Sequence, residues 1–116
     1  MIEIIKDKNY FEIEANTRII TINCVGAMGA GLAKWFRTNH WDKYLKYREK
    51  CRQGLIKIGH CEVVKTSQCR YVYFPTKLHW QNTSRLEYIE EGLKHLSEII
   101  QPDWVITIPP LGCGNG

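Results

Sequence analysis

With 116 residues, 44% of them apolar and 24% charged, the chain has the size and balance of one globular domain and no room for a second. No apolar run approaches the length of a signal or membrane segment, which predicts an intracellular, cytoplasmic protein without membrane contact. A net charge of +4 gives a mild pull toward anionic partners, screened at physiological salt.

Five cysteines, Cys24, Cys51, Cys61, Cys69 and Cys113, are an odd number with no close pair. This argues against a disulfide framework and fits a reducing compartment. Cys51, His60, Cys61 and Cys69 are a conceivable zinc set, but no C-x-x-C or H-x-x-x-H spacing supports it, so neither a metal nor another cofactor is expected.

In chain order, Ile2 to Ile5 reads as an opening strand and Tyr10 to Ile13 as a short second one. Arg18 to Cys24 carries the β-branched run Ile19, Ile20, Thr21 and Ile22, suited to a strand buried on both faces. A glycine-rich turn, Gly26 to Gly31, interrupts it. Leu32, Trp35 and Phe36 then recur at helical spacing, and a second helix runs from Trp41 toward Cys51. Along that helix Lys43, Lys46, Arg48, Lys50 and Arg52 alternate with Trp41, Tyr44 and Tyr47. Segment 43–52 fits either a nucleic-acid contact or a solvated helix face whose aromatic residues turn to the core.

Cys61 to Lys65 and Tyr71 to Phe74 read as strands, the latter ended by Pro75, which cannot donate to a ladder. Ser84-Arg85-Leu86-Glu87 fits a capping box, and Leu86, Ile89, Leu93, Leu96 and Ile100 trace one apolar stripe down the helix that follows. Trp104 to Ile108 is a final buried strand, closed by Pro109-Pro110 and running into Leu111-Gly112-Cys113-Gly114-Asn115-Gly116. Strands alternating with helices across long crossovers predict an α/β fold with a parallel or mixed sheet covered on both faces. Ligands in such folds sit at the carboxyl ends of the strands, where both glycine-rich segments fall.

The first glycine loop, Gly26-Ala27-Met28-Gly29-Ala30-Gly31, links a buried strand to an amphipathic helix. Its main-chain N–H groups can face outward, with the positive end of the helix behind them, as an anion cradle. It lacks the G-x-x-x-x-G-K-[ST] and G-x-G-x-x-G patterns, which disfavours a nucleotide-kinase loop or a dinucleotide fold. Gly112 to Gly116 repeats the logic, and two such loops suit a diphosphate. A structural tight turn and a glycine-rich tail are the plainer alternatives. Between the loops, Pro75-Thr76-Lys77-Leu78-His79-Trp80 begins where a strand is expected to end. Lys77 is the catalytic candidate there, because a deprotonated amine can attack the anomeric carbon of an opened ribose, or the charged group can assist as a cation. An exposed loop lysine is otherwise a solubilising charge.

Together, 23–33, 74–80, 84–93 and 108–116 resemble, in order and spacing, the macrodomain branch that contains DNA ADP-ribosyl glycohydrolase antitoxins. That branch looks related to the terminal ADP-ribose protein glycohydrolases. The resemblance runs the length of the chain and implies a three-layer α/β/α macrodomain-like fold with a mixed central sheet. It implies hydrolysis at the distal ribose, without metal, that frees mono-ADP-ribose from thymidine in DNA or from protein acidic side chains. A non-catalytic ADP-ribose reader and an ADP-ribose 1''-phosphate phosphatase are the alternatives. By resemblance Lys77 is the catalytic residue. The ligand-binding set is Asn23, Val25, Gly26, Ala27, Met28, Gly29, Ala30, Gly31 and Leu32, then Pro75, Thr76 and His79, then Pro110, Leu111, Gly112, Cys113, Gly114, Asn115 and Gly116. Ile20 stands where many relatives have asparagine, and Gly116 where the protein glycohydrolases carry aspartate. Relatives continue past the second loop with a further helix, so the chain is expected to lack the last part of the family's domain.

Overall fold

The computed structural model describes residues 14–109 and residue 111. The strands expected at Ile2 to Ile5 and Tyr10 to Ile13, with Pro110 and Gly112 to Gly116, lie outside the described residues.

Strand β1 (Thr17–Asn23) owes its place to its β-branched run, with Ile19, Ile20 and Ile22 all buried. Such side chains fit a pleated, covered surface, and each contributes about 1.5–3 kcal/mol when fully buried. Two helices follow, α1 (Gly31–Asn39) and α2 (Trp41–Arg52), then the hairpin of β2 (Glu62–Lys65) and β3 (Arg70–Lys77). Helix α3 (Leu86–Ile99) and the short β4 (Ile106–Thr107) come last among the described residues. The sheet runs β2-β3-β1-β4, with β1 parallel to both β3 and β4 and β2 antiparallel to β3. It is therefore mixed.

Successive residues of a strand point to opposite faces, and the core divides accordingly. Ile20, Ile22, Tyr71 and Tyr73 pack with Phe36, Tyr44 and Tyr47 on the α1–α2 side. Ile19, Val72 and Phe74 pack with Leu96, Trp104 and Ile106 on the α3 side. The result is three layers, helix, sheet and helix. At the far end of β1, the Asn16 side chain donates to Asp103 O at 2.8 Å and accepts from the Val105 N–H at 2.9 Å, which ties β1 to the approach of β4.

Three expectations need correction. Pro75 does not end β3, which continues to Lys77 with Pro75 opposite Ile22. The β2 pairing stops at Glu62 and Tyr73, so Pro75 faces a neighbour on one side only, a setting in which a missing N–H is tolerated. Ser84 does not hold the cap position of α3; Arg85 does, in extended backbone and with no side-chain cap hydrogen bond, because the helix starts one residue later than a capping box on Ser84 requires. The apolar stripe is also displaced, since Leu86 is 68% exposed and Leu93 41% exposed, whereas Gly92 and Leu96 are buried.

Gly92 explains the displacement. A Cβ placed there would stand 2.4 Å from Phe74 Cζ, so α3 approaches the sheet closely along the side that lacks a side chain. Alanine in place of glycine ordinarily stabilises a helix by about 1 kcal/mol. Here Gly92→Ala is expected to lose about 1–3 kcal/mol through overpacking against Phe74. Urea denaturation measures it, and a variant as stable as the parent would contradict this packing.

Candidate functional site

The site forms where β1 and β3 end side by side. Asn23 and Lys77 are register partners across a slip after Ile22, and the Cys24 N–H donates to Lys77 O at 3.1 Å and to Leu78 O at 3.3 Å. The segment leaving β1 is thereby held against the segment leaving β3.

Asn23 organises the loop. Its amide Nδ2 donates to Ala27 O at 2.8 Å, and its Oδ1 accepts the N–H groups of Val25 and Ala27, each at 3.2 Å. Helix α2 braces the same loop from behind. The Tyr47 hydroxyl donates toward Asn23 O at 2.7 Å and Asn23 Oδ1 at 3.0 Å, and the Tyr44 hydroxyl donates to Gly26 O at 3.1 Å. Burial, chiefly, drives the Tyr47 phenol pKa far above its ordinary value, so it stays a donor. Gly26, at φ +85°, lies so close to α2 that a Cβ would sit 3.1 Å from Arg48 Cγ and 3.3 Å from Arg48 Cα. Both the backbone sign and the contact require glycine there.

Gly29 differs from Gly26. A Cβ there would meet nothing within 4 Å, and the residue lines a cavity of about 390 Å³. Its bare main chain opens onto space rather than protein. Helix α1 starts just beyond, at Gly31, with no side-chain hydrogen bond at its cap Ala30 and no acidic residue in its first turn. Its first N–H groups are left without a side-chain acceptor, a setting that favours an anion.

The cavity is lined by Thr21, Ile22, Asn23, Ala27, Gly29, Ala30, Ala33, Thr76, Lys77 and Trp80. Among these described residues Lys77 is the charged one. Of the expected ligand set, Asn23, Ala27, Gly29, Ala30 and Thr76 line the cavity together with Lys77. Val25 is exposed, and Gly31 is the first residue of α1. Met28 and Pro75 are buried, Gly26 is pressed against α2, and Leu32 packs against the α1–α2 core. His79 accepts the Gln81 N–H on Nδ1 at 3.1 Å, its ring 5.6 Å from that of Trp80. Leu111 packs on the α3-side core.

Sequence reasoning passed over Thr21, Ile22, Ala33 and Trp80. The first two end a strand leading into a glycine loop, a position that could have signalled them. Trp80 lies within the noted segment, Pro75 to Trp80, but has no role assigned to it there.

None of the described cysteines lines the cavity. Burial, chiefly, pushes the Cys51 thiol up to about 11 and the Cys61 thiol up to about 12. Cys61 donates to Gly92 O at 3.5 Å, its N–H is accepted by His95 Nδ1 at 2.7 Å, and the His60 ring stacks on His95. No group of three or more His, Cys, Asp or Glu among the described residues is arranged to hold a metal ion. No helix among them is long and apolar enough to cross a membrane.

The buried Tyr47 hydroxyl is the clearest point at which to test the loop's support. Tyr47→Phe removes the hydroxyl donor shared by Asn23 O and Oδ1, and we expect a loss of about 1–3 kcal/mol in thermal or urea denaturation. Faster amide exchange at Val25 and Ala27 should accompany it. Unchanged stability and unchanged exchange would mean the phenol does not hold the loop.

The Macro domain family matches residues 19–116 of this chain. The DNA ADP-ribosyl glycohydrolase of Thermus aquaticus is 43% identical over 114 residues, which cover 93% of this chain and 32% of that protein. The solved macrodomain of Mycobacterium tuberculosis DarG superimposes with a TM-score of 0.89 at 34% identity, covering 100% of this chain and 80% of that one. Thermosipho africanus DarTG, solved in complex with ADP-ribose, superimposes with a TM-score of 0.77 at 29% identity over 88% of this chain and 31% of that one. The chain thus spans about a third of the length of the curated relatives it matches. A mixed sheet between helical layers, a glycine loop at the carboxyl ends of its parallel strands and these matches agree, and the chain belongs to the macrodomain family.

Proposed function

We propose that this macrodomain binds ADP-ribose in the cavity beside Lys77 and hydrolyses the bond joining mono-ADP-ribose to thymidine in DNA, or to a protein acidic side chain. The observation that carries the reading is the position of Lys77, the charged residue of an otherwise neutral cavity wall that also includes Gly29. The names of the relatives support the glycohydrolase activity, and the ADP-ribose complex supports the ligand. Nucleic acid is the favoured carrier because the basic segment 43–52 belongs to the helix that braces the loop. A cytoplasmic location is consistent with the free thiols of Cys24, Cys51, Cys61 and Cys69.

In this reading the α1 N-terminus and the main chain at Gly29 hold the diphosphate, which sets the distal ribose against Lys77. The amine of Lys77, after giving up a proton to solvent, attacks the ribose anomeric carbon. A carbon–nitrogen bond forms, the bond to the base breaks, and the departing base nitrogen takes up a proton. Water then cleaves the adduct, releasing ADP-ribose and restoring the amine.

Two substitutions separate binding from chemistry. Lys77→Ala is expected to lower release from a mono-ADP-ribosylated thymidine oligonucleotide at least about a hundredfold while still binding ADP-ribose. Lys77→Arg keeps the charge without the nucleophile and should be equally slow. Full activity in the arginine variant would reduce the role of Lys77 to electrostatics, and binding without release by the parent would make the protein a reader. Gly29→Ala should keep the parent's melting temperature, because the added methyl meets no protein atom, yet weaken ADP-ribose binding about tenfold or more by calorimetry. Parental affinity in that variant would remove the loop from the diphosphate site.

A further inference from the structure

A second cavity, of about 310 Å³, lies between α2 and β2. Four lysines line it, Lys43, Lys46 and Lys50 from the helix and Lys65 from the end of the strand. Spacings of three and four residues put the helical three on one face. Glu62 is the acidic residue among the lining, and it pairs with Lys50, leaving Lys46 and Lys65 exposed. Tyr73 also lines the cavity, and its hydroxyl is buried with no hydrogen-bond partner among the described residues. A buried hydroxyl left unsatisfied is destabilising, and a bound acceptor oxygen would relieve it.

We propose that this groove is a second anion site that seats a backbone phosphate of a nucleic-acid strand, with the Tyr73 hydroxyl donating to a phosphate oxygen. The proposal rests on the reading of ADP-ribosylated nucleic acid as substrate and names where that strand is held. Flexible lysine charges without a guanidinium fork suit a contact that positions a strand without reading its sequence. The occupant is a strand because the groove follows the helix that braces the loop of the first site. Tyr47 lines the groove while its hydroxyl holds Asn23, and the adjacent Arg48 packs on Gly26. A strand seated on α2 is thereby led toward the first cavity. Strand β2 pairs with β3 alone, so its outer edge is open among the described residues.

The test titrates the protein with an unmodified single-stranded oligonucleotide by fluorescence anisotropy across a salt series. Lys46→Glu with Lys65→Glu is expected to weaken binding about tenfold and to lower the slope of log affinity against log salt by about 0.7 for each phosphate no longer neutralised. Tyr73→Phe should weaken binding about threefold with the slope unchanged, since it removes a neutral donor. Calorimetric ADP-ribose affinity should stay at the parental value in all of them. Parental oligonucleotide affinity and slope in the double variant would overturn the proposal. So would equally tight binding of polyglutamate, or competition by inorganic phosphate at concentrations equal to those of oligonucleotide phosphate. Because ADP-ribose release is assayed separately, loss of catalysis with an intact groove would overturn only the hydrolase reading.

Discussion

The site depends on one buried knot, the Asn23 amide and the hydroxyl of Tyr47. Asn23 ends the central strand, and its side chain commits both of its polar atoms to the loop that follows. Tyr47 closes the knot from a helix that begins well beyond the loop in the chain, at Trp41. An amide with both polar atoms engaged in low-dielectric surroundings is held in one orientation, and the main chain bonded to it is held as well. The loop can therefore present bare backbone to a ligand without relying on the ligand for its shape.

This arrangement assigns different work to glycines that look alike in the sequence. Gly26 is required by positive φ and by the nearness of Arg48, so it serves the fold. Gly29 has room around it and serves the cavity. Gly92, far from the loop in sequence, lets α3 settle on Phe74 and so sets the depth of the opposite layer. Of these three, Gly29 alone lacks a structural reason to be glycine, and it is the one that borders open space.

The central architecture was legible because the β-branched run of β1 and the strand-to-helix glycine loop are strong local signals. The helical pair α1 and α2 followed from spacing, and the four ordered segments carried the family. Three features were hidden because tertiary contacts decide them. Pro75 reads as a stop until one knows that β2 has already ended beside it. The stripe of α3 reads through Leu86 and Leu93 because a helical wheel weights large residues, whereas the closest contact with the sheet is made where a side chain is missing. Asn23 reads as a ligand contact, but most of its hydrogen-bonding capacity is taken up inside the loop, a fact set by Tyr47 at long range. For segment 43–52 the solvated-face reading holds in part, since Tyr44 and Tyr47 turn to the core and Lys46 stays exposed, while Trp41 stays exposed as well.

Trp80 gives the first cavity an optical property. It is 57% exposed and lines the cavity directly, whereas Trp104 is buried beneath the Arg70 guanidinium and neither Trp35 nor Trp41 borders the space. An indole at the rim changes its surroundings when the cavity fills, while the other three keep theirs. Intrinsic fluorescence thus carries an occupancy signal within the native sequence, and filling the site can be followed without a label attached to either protein or ligand.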